Sequence, residues 1–442
     1  MTENTIQARD EKLVRALGVG GLSAAVINMT IGAGIFALPG VVAARLGGAA
    51  VLGYLVCAAG MALFVLCFAA AGSRVSQSGG LYGYVSAAFG GFSGFLTGAM
   101  LWLSSVLATA AVANIFVDSI RELVPAVNTV AARVVILVVL YAFLAFVNVR
   151  GVKLGARFVQ TTTVAKLLPL LILVGAGVFF LKPVNLAWPG MPPLDQVGNT
   201  AIVLIFAFVG VEVALTPSGE VKDPSRTVPR AVFFALIGVT TLYLLIQLVA
   251  QGVLGSELGK NTTTPLASVA NTVMGNSGRL LVLVGAVIST FGYVLGDMLA
   301  APRALFGMAN HRTLPSFLSY VHPVFRTPRN AIILHAFIAT ALATSGSFER
   351  LIIAANLAIL ATYFLCAVAV IQLQRKDVRR EGEPFNLRGG PVIPIAACAF
   401  AVWLASHAEP QEFAAVGIAF IVAVVIYFVM TRRTRMTPII GE

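Results

Sequence analysis

The sequence predicts an all-α membrane protein with twelve transmembrane helices, on three observations. Of 442 residues, 58% are hydrophobic and 11% charged, whereas a soluble domain carries about 25% charge to keep its surface in water. Apolar runs recur that are long enough to cross a ~30 Å hydrocarbon core, which takes about 20 helical residues. None shows the ~10-residue alternation of a membrane barrel. Finally, Lys and Arg are distributed unevenly between the loops.

In chain order, the apolar runs between polar, Gly and Pro breaks place the spans at 15–44, 48–73, 83–118, 130–149, 158–181, 197–219, 228–252, 278–309, 330–346, 350–374, 391–407 and 411–431. The third and eighth exceed what a bilayer needs and are expected to tilt. The abundant glycine, 42 residues, suits helices packed closely in lipid. Met1–Arg15 is polar and no cleavable signal peptide is expected. With both termini cytoplasmic, 22 Lys and Arg face inward and 7 outward, and Lys166 alone lies well inside a span. This is the bias of a multi-pass protein of the cell (inner or plasma) membrane. The net charge of +12 is therefore an orientation signal, and no nucleic-acid partner is expected. Cys57, Cys67, Cys366 and Cys398 sit inside apolar runs, and His311, His322, His335 and His407 have no ligand spacing. Neither metal nor cofactor is expected.

Spans one and six are interrupted alike. The first carries Thr30-Ile31-Gly32-Ala33-Gly34-Ile35-Phe36, then Pro39-Gly40. The sixth carries Phe206-Ala207-Phe208-Val209-Gly210-Val211-Glu212, then Pro217-Ser218-Gly219. Glycine inside a helix favours unwinding, and paired interruptions in corresponding halves point to a transporter's central site. Freed N–H groups suit a carboxylate and freed carbonyls an ammonium. Glycine also serves simple helix packing. Glu212 within the second break weighs against packing alone, because irregular backbone at membrane depth must be buried in protein or line a cavity.

These residues resemble a known family. The sixth-span segment, continued through Glu220-Val-Lys-Asp-Pro-Ser-Arg-Thr-Val-Pro-Arg230, is similar to a signature of the amino acid–polyamine–organocation superfamily, as is Gly32–Phe36. Ser78-Gly-Gly-Leu-Tyr82, Asn148-Val-Arg-Gly-Val-Lys153, Arg303-Ala-Leu-Phe-Gly-Met-Ala309, Leu314-Pro315 and Thr327-Pro328 follow in the family's order. The resemblance implies one transporter domain over 1–442: a five-helix repeat over 15–181, its inverted copy over 197–374, and two extra C-terminal helices over 391–431. Helices one and six would be discontinuous. It implies a secondary carrier working by alternating access on amino acids or related amines. The substrate carboxylate would meet amides at Ala33, Gly34 and Ile35. Its ammonium would meet carbonyls at Thr30, Ile31, Ala207 and Val209, and Phe206 would gate the site. Thr109 falls near a substrate-facing position, although such a hydroxyl commonly bonds its own helix.

Three titratable residues lie at depth. Glu212 sits where a charge costs at least ~2.5–3.5 kcal/mol; antiporter members of the superfamily tie that position to proton-linked gating, and the alternative is a hydrogen-bonded acid stiffening the break. Lys166 matches a fifth-helix lysine that fills the place of sodium in sodium-coupled relatives, which favours proton coupling or exchange; the alternative is snorkelling. Asp297 falls near a position facing the substrate side chain. It could pair with a cationic substrate or with Lys166, or be solvated in a vestibule. A cationic amino acid or polyamine antiporter is thus the alternative within the class. A channel would need a continuous polar lining, which the sequence does not offer. No nucleophile–base set, metal cluster or phosphate loop indicates an enzyme, so no catalytic residue is expected.

Overall fold

The computed structural model describes residues 18–436 apart from 33, 76–79, 152–155, 189, 213–223, 380–383, 386 and 388; the side chains of 156–165, 224–225 and 433–436 also lie outside the description. Ala33, the termini, Ser78, Lys153, Pro217–Gly219 and Glu220–Asp223 of the motifs above therefore fall outside the described residues. The α-helices are α1 (Val19–Thr30), α2 (Leu38–Leu46), α3 (Ala50–Gly72), α4 (Leu81–Phe89), α5 (Gly91–Leu123), α6 (Val130–Val149), α7 (Ala156–Gly177), α8 (Leu194–Leu204), α9 (Pro224–Leu254), α10 (Pro265–Asn310), α11 (Arg329–Ser345), α12 (Phe348–Arg375), α13 (Val392–Ala405) and α14 (Pro410–Met436). No strand occurs among the described residues.

Seven stretches among the described residues are long and apolar enough to cross a membrane: Leu38–Gly72, Gly91–Leu123, Val130–Val149, Arg226–Lys260, Pro265–Asn310, Phe348–Arg375 and Pro410–Arg432. Four shorter apolar helices accompany them, at Val19–Thr30, Lys166–Phe180, Leu194–Phe208 and Val392–Ala405. The chain is a multi-pass membrane protein. Helix α6 shows why its neighbours must be lipid. One side buries Leu137, Leu140, Tyr141 and Leu144, and the other presents Val135, Val138, Val139, Phe143 and Phe146 to the outside. A helix apolar all round belongs in a bilayer or a large core.

Element boundaries depart from the sequence reading in two places. The run expected as one span over 83–118 is two helices, α4 and α5, because Gly90 turns the chain at φ +91°. The span expected to start at 278 reaches back to Pro265, with a kink at Gly275 (φ 66°, ψ −161°). Apolarity alone does not register these turns, since each needs only one glycine. The first span is interrupted where the sequence reading expects it, with one α-helix ending at Thr30, a short 3-10 turn over Gly34–Phe36 and the next α-helix starting at Leu38.

The chain forms two compact units, each assembled from separated segments. The first comprises Met1–Thr97, Leu170–Val282 and Leu360–Ala408. Within it α9 packs on α1 and α3, and α13 packs on α3 and α8. The second comprises Gly98–Pro169, Leu283–Ile359 and Glu409–Glu442. Within it α11 packs along α6.

Candidate functional site

In the first unit the helical ladder fails where the glycines stand. Ile31 N–H still donates to Ile27 at 2.9 Å, but Gly32 N–H turns back to the Thr30 carbonyl at 2.7 Å, and the next α-helix starts at Leu38. Ile31 adopts φ −72°, ψ 82°, outside the helical region. On the other side α8 stops at Leu204, tightens into a 3-10 turn over Ile205–Phe208, and Val209 becomes extended at φ −68°, ψ 145°.

The two interruptions meet backbone to backbone. Gly210 has φ +113°, and a Cβ placed on it would lie 2.9 Å from the Met29 carbonyl oxygen. Only glycine satisfies both conditions. The Phe206 ring lies against Gly34, where an added Cβ would sit 3.0 Å from its Cδ1. Phe206, Ala207, Ile31 and Ile35 are buried, as is Thr30.

A side chain the sequence reading missed joins the breaks. The hydroxyl of Tyr243, on α9, shares its one hydrogen between the Thr30 carbonyl at 3.0 Å and the Ala207 carbonyl at 2.9 Å. Its ring packs edge-on against Phe208, with centroids 5.5 Å apart. The Thr30 carbonyl thus accepts from both Gly32 and Tyr243, while the Thr30 hydroxyl bonds its own helix at Val26. Gln247, one turn from Tyr243, accepts from Tyr54 at 3.2 Å. Polar residues four apart on an otherwise apolar span (Tyr243, Gln247, Gln251) were the available sequence signal.

Glu212 is buried beside the second break. Its carboxyl accepts from the Gly210 N–H at 3.0 and 3.2 Å and from the Tyr363 hydroxyl at 2.6 Å. Tyr363 is wedged between Phe64 and Phe68, each with ring centroids 5.0 Å away. The acid thereby satisfies an amide that the unwound backbone takes out of the ladder.

The remaining candidates belong to the second unit. Thr109 is fully buried on α5. Lys166 is half-buried on α7. Asp297, on α10, accepts from Ser105 and faces His335 Nε2 at 2.9 Å. His335 in turn meets the Trp102 indole at 3.2 Å. Sequence spacing gave no sign of this cluster, which draws on three helices.

Apolar multi-pass helices and two interruptions joined through their backbones define a membrane protein of the transporter class rather than an enzyme. The comparisons agree: the family model described as amino acid permease matches residues 17–431, and the chain belongs to that family, within the amino acid–polyamine–organocation superfamily. It is similar to the methylthioribose transporter of Bacillus subtilis, 28% identical over 97% of this chain and 95% of the relative. It is 30% identical to the arginine/ornithine antiporter of Pseudomonas aeruginosa, over 88% of this chain and 85% of that protein. The serine/threonine exchanger of B. subtilis is 27% identical, over 97% and 99%.

Proposed function

We propose that this permease is a secondary active carrier that moves amino acids or related amines across the cell membrane by alternating access, coupled to protons or working as an exchanger. Both termini are cytoplasmic in this reading. Twelve spans are arranged as a repeat over 15–181, an inverted copy over 197–374 and two further helices over 391–431. The observation that carries the reading is the junction of the two breaks, where Gly210 lies on the Met29 carbonyl and Tyr243 bridges Thr30 and Ala207. Backbone groups released from a ladder at membrane depth recognise charge without a buried ionic side chain.

In this proposal the amides around Ala33, Gly34 and Ile35 take the substrate carboxylate. The carbonyls of Thr30, Ile31, Ala207 and Val209 take its ammonium. Phe206, already seated on Gly34, closes over the bound molecule, and Thr109 contributes on the side-chain end. Tyr243 occupies two of those carbonyls in the structure, so substrate entry exchanges its hydroxyl for an ammonium. Glu212 and Lys166 serve gating and coupling. Both compact units draw on both proposed repeats, as 1–97 with 170–282 and 98–169 with 283–359; this interleaving suits a carrier in which one group of helices rocks against another.

A second reading, an antiporter of cationic amino acids or polyamines, is favoured by the buried carboxylate of Asp297 and by the likeness to an arginine/ornithine antiporter. The test is uptake of labelled amino acids into proteoliposomes, with and without a pH gradient and with and without unlabelled amino acid inside. Accumulation that follows the gradient supports symport, and dependence on internal substrate supports exchange. Absence of saturable uptake under every condition refutes the carrier.

A further inference from the structure

In the second unit, α10 and α11 are joined by a loop over residues 311–328 whose shape is held by its own bonds. Leu314 and Leu318 within it are buried. The His322 Nδ1 accepts from the Val324 and Phe325 N–H groups at 3.2 and 3.3 Å. The Arg326 N–H donates to the His322 carbonyl at 2.9 Å, and the Asn330 amide donates to the Phe317 carbonyl at 2.8 Å. Held this way, the loop turns Phe317, Tyr320, Val321, Val324 and Phe325 outward, with Val324 75% exposed. An exposed apolar cluster on an ordered loop marks a contact surface.

Two observations put that surface at the edge of the bilayer. Helix α6 has 20 residues, about 30 Å of helix, which matches the hydrocarbon core. Its last carbonyl, at Val149, accepts from the Thr327 hydroxyl at 2.7 Å, so the loop is tied to the level where α6 leaves lipid. The next residue, Arg150, lays its guanidinium 4.4 Å from the centre of the Phe146 ring, a basic group folded back at the boundary. Secondly, Ile333 and Phe337 on α11 are exposed and follow Arg329 at four-residue steps. The apolar display of the loop therefore runs on into an outward stripe of α11.

The charge around the loop has one sign. Arg312, Arg326 and Arg329 are exposed, and no Asp or Glu occurs between Asp297 and Glu349. Arg312 and Arg326 hold φ of 58° and 56°, a conformation that glycine adopts without strain, yet the chain keeps arginine at both. Apolar side chains flanked by guanidinium groups fit an acyl boundary and its anionic phosphates.

We propose that the loop between α10 and α11 is a binding site for anionic phospholipid. Phe317, Tyr320, Val321, Val324 and Phe325 enter the acyl boundary, and Arg312, Arg326 and Arg329 hold headgroup phosphates. The leaflet is the cytoplasmic one, which rests on the orientation proposed above; the site itself is independent of the transported molecule.

The test uses the full chain in nanodiscs of phosphatidylcholine and phosphatidylglycerol. A spin label is attached to Val324→Cys with Cys398→Ala, the other three cysteines being buried. Oxygen, which enters lipid, relaxes this label more strongly than a water-soluble nickel chelate does. The reverse order overturns the anchor, and a label shielded from both reagents puts protein on the loop and overturns it too. In detergent, native mass spectrometry shows phosphatidylglycerol retained about tenfold or more over phosphatidylcholine. Arg312→Gln, Arg326→Gln and Arg329→Gln together erase that preference, with a melting point near that of wild type. Equal retention of the two lipids by wild type, or a preference that survives the triple variant, overturns the headgroup site. Labelling of Arg312→Cys by an impermeant maleimide on intact cells overturns the leaflet and the proposed orientation together. Saturable uptake beside any of these failures leaves the carrier standing.

Discussion

At Gly210 two separate demands exclude a side chain: a φ of +113° and a Met29 carbonyl 2.9 Å from where Cβ would be. The conformation alone costs a non-glycine residue about 1–3 kcal/mol. The contact adds to it, because the neighbour is backbone and cannot rotate away. Gly210→Ala is expected to insert and fold, with a lowered melting point, and to lose transport; unchanged uptake would show that the two breaks need not touch. Glu212 calls for a different variant. A glutamine there accepts from the Gly210 N–H with its oxygen and donates to the Tyr363 hydroxyl, which accepts as readily as it donates. Glu212→Gln should therefore keep the melting point of wild type while abolishing the response of uptake to a pH gradient. A normal response would reduce the acid to a cap on the break. Glu212 was legible in the sequence because an acid in an apolar run stands out. Tyr243 and Tyr363 were not, since a tyrosine in a membrane span is ordinary until its hydroxyl is seen to reach carbonyls or an acid on other helices.

The elements were legible to different degrees, for physical reasons. Apolar length marks where a helix can cross lipid, and this sufficed to place α3, α6, α12 and α14 near their observed positions. It is blind to a single left-handed glycine, so the Gly90 and Gly275 turns passed unnoticed. The interruption between α1 and α2 was legible because Gly32 and Gly34 flank one residue and Pro39-Gly40 follows, a concentration that a packed helix does not require. At this scale the useful substitution is Gly34→Leu. Its branched side chain must displace Phe206 and Leu38, whose nearest atoms already lie 3.0 and 3.2 Å from the Cβ position. We expect a protein that reaches the membrane in normal amount and binds no substrate. Gly34→Leu combined with Phe206→Ala should regain part of the binding, since the removed ring vacates the space. Binding by the single variant at wild-type strength would separate Phe206 and Gly34 from the site.

The whole molecule is two units interleaved along the chain, and a carrier of this kind has to let binding in one region influence access elsewhere. Lys166, half-buried on α7, is the basic residue to which the proposal gives a coupling role. Lys166→Ala should slow uptake and flatten its dependence on the pH gradient; an unaltered rate and profile would return the residue to a snorkelling role. The family was legible from the ordered motifs, whereas Asp297 could be read only as a charge, because its partners Ser105 and His335 are separated from it by tens to hundreds of residues. The most direct test of the carrier itself is the initial rate of labelled amino acid uptake into proteoliposomes against external concentration, wild type beside Gly210→Ala. The junction of two broken helices requires a rate that saturates for wild type and vanishes in the variant. A rate that rises linearly with concentration, or that persists in Gly210→Ala, would contradict it.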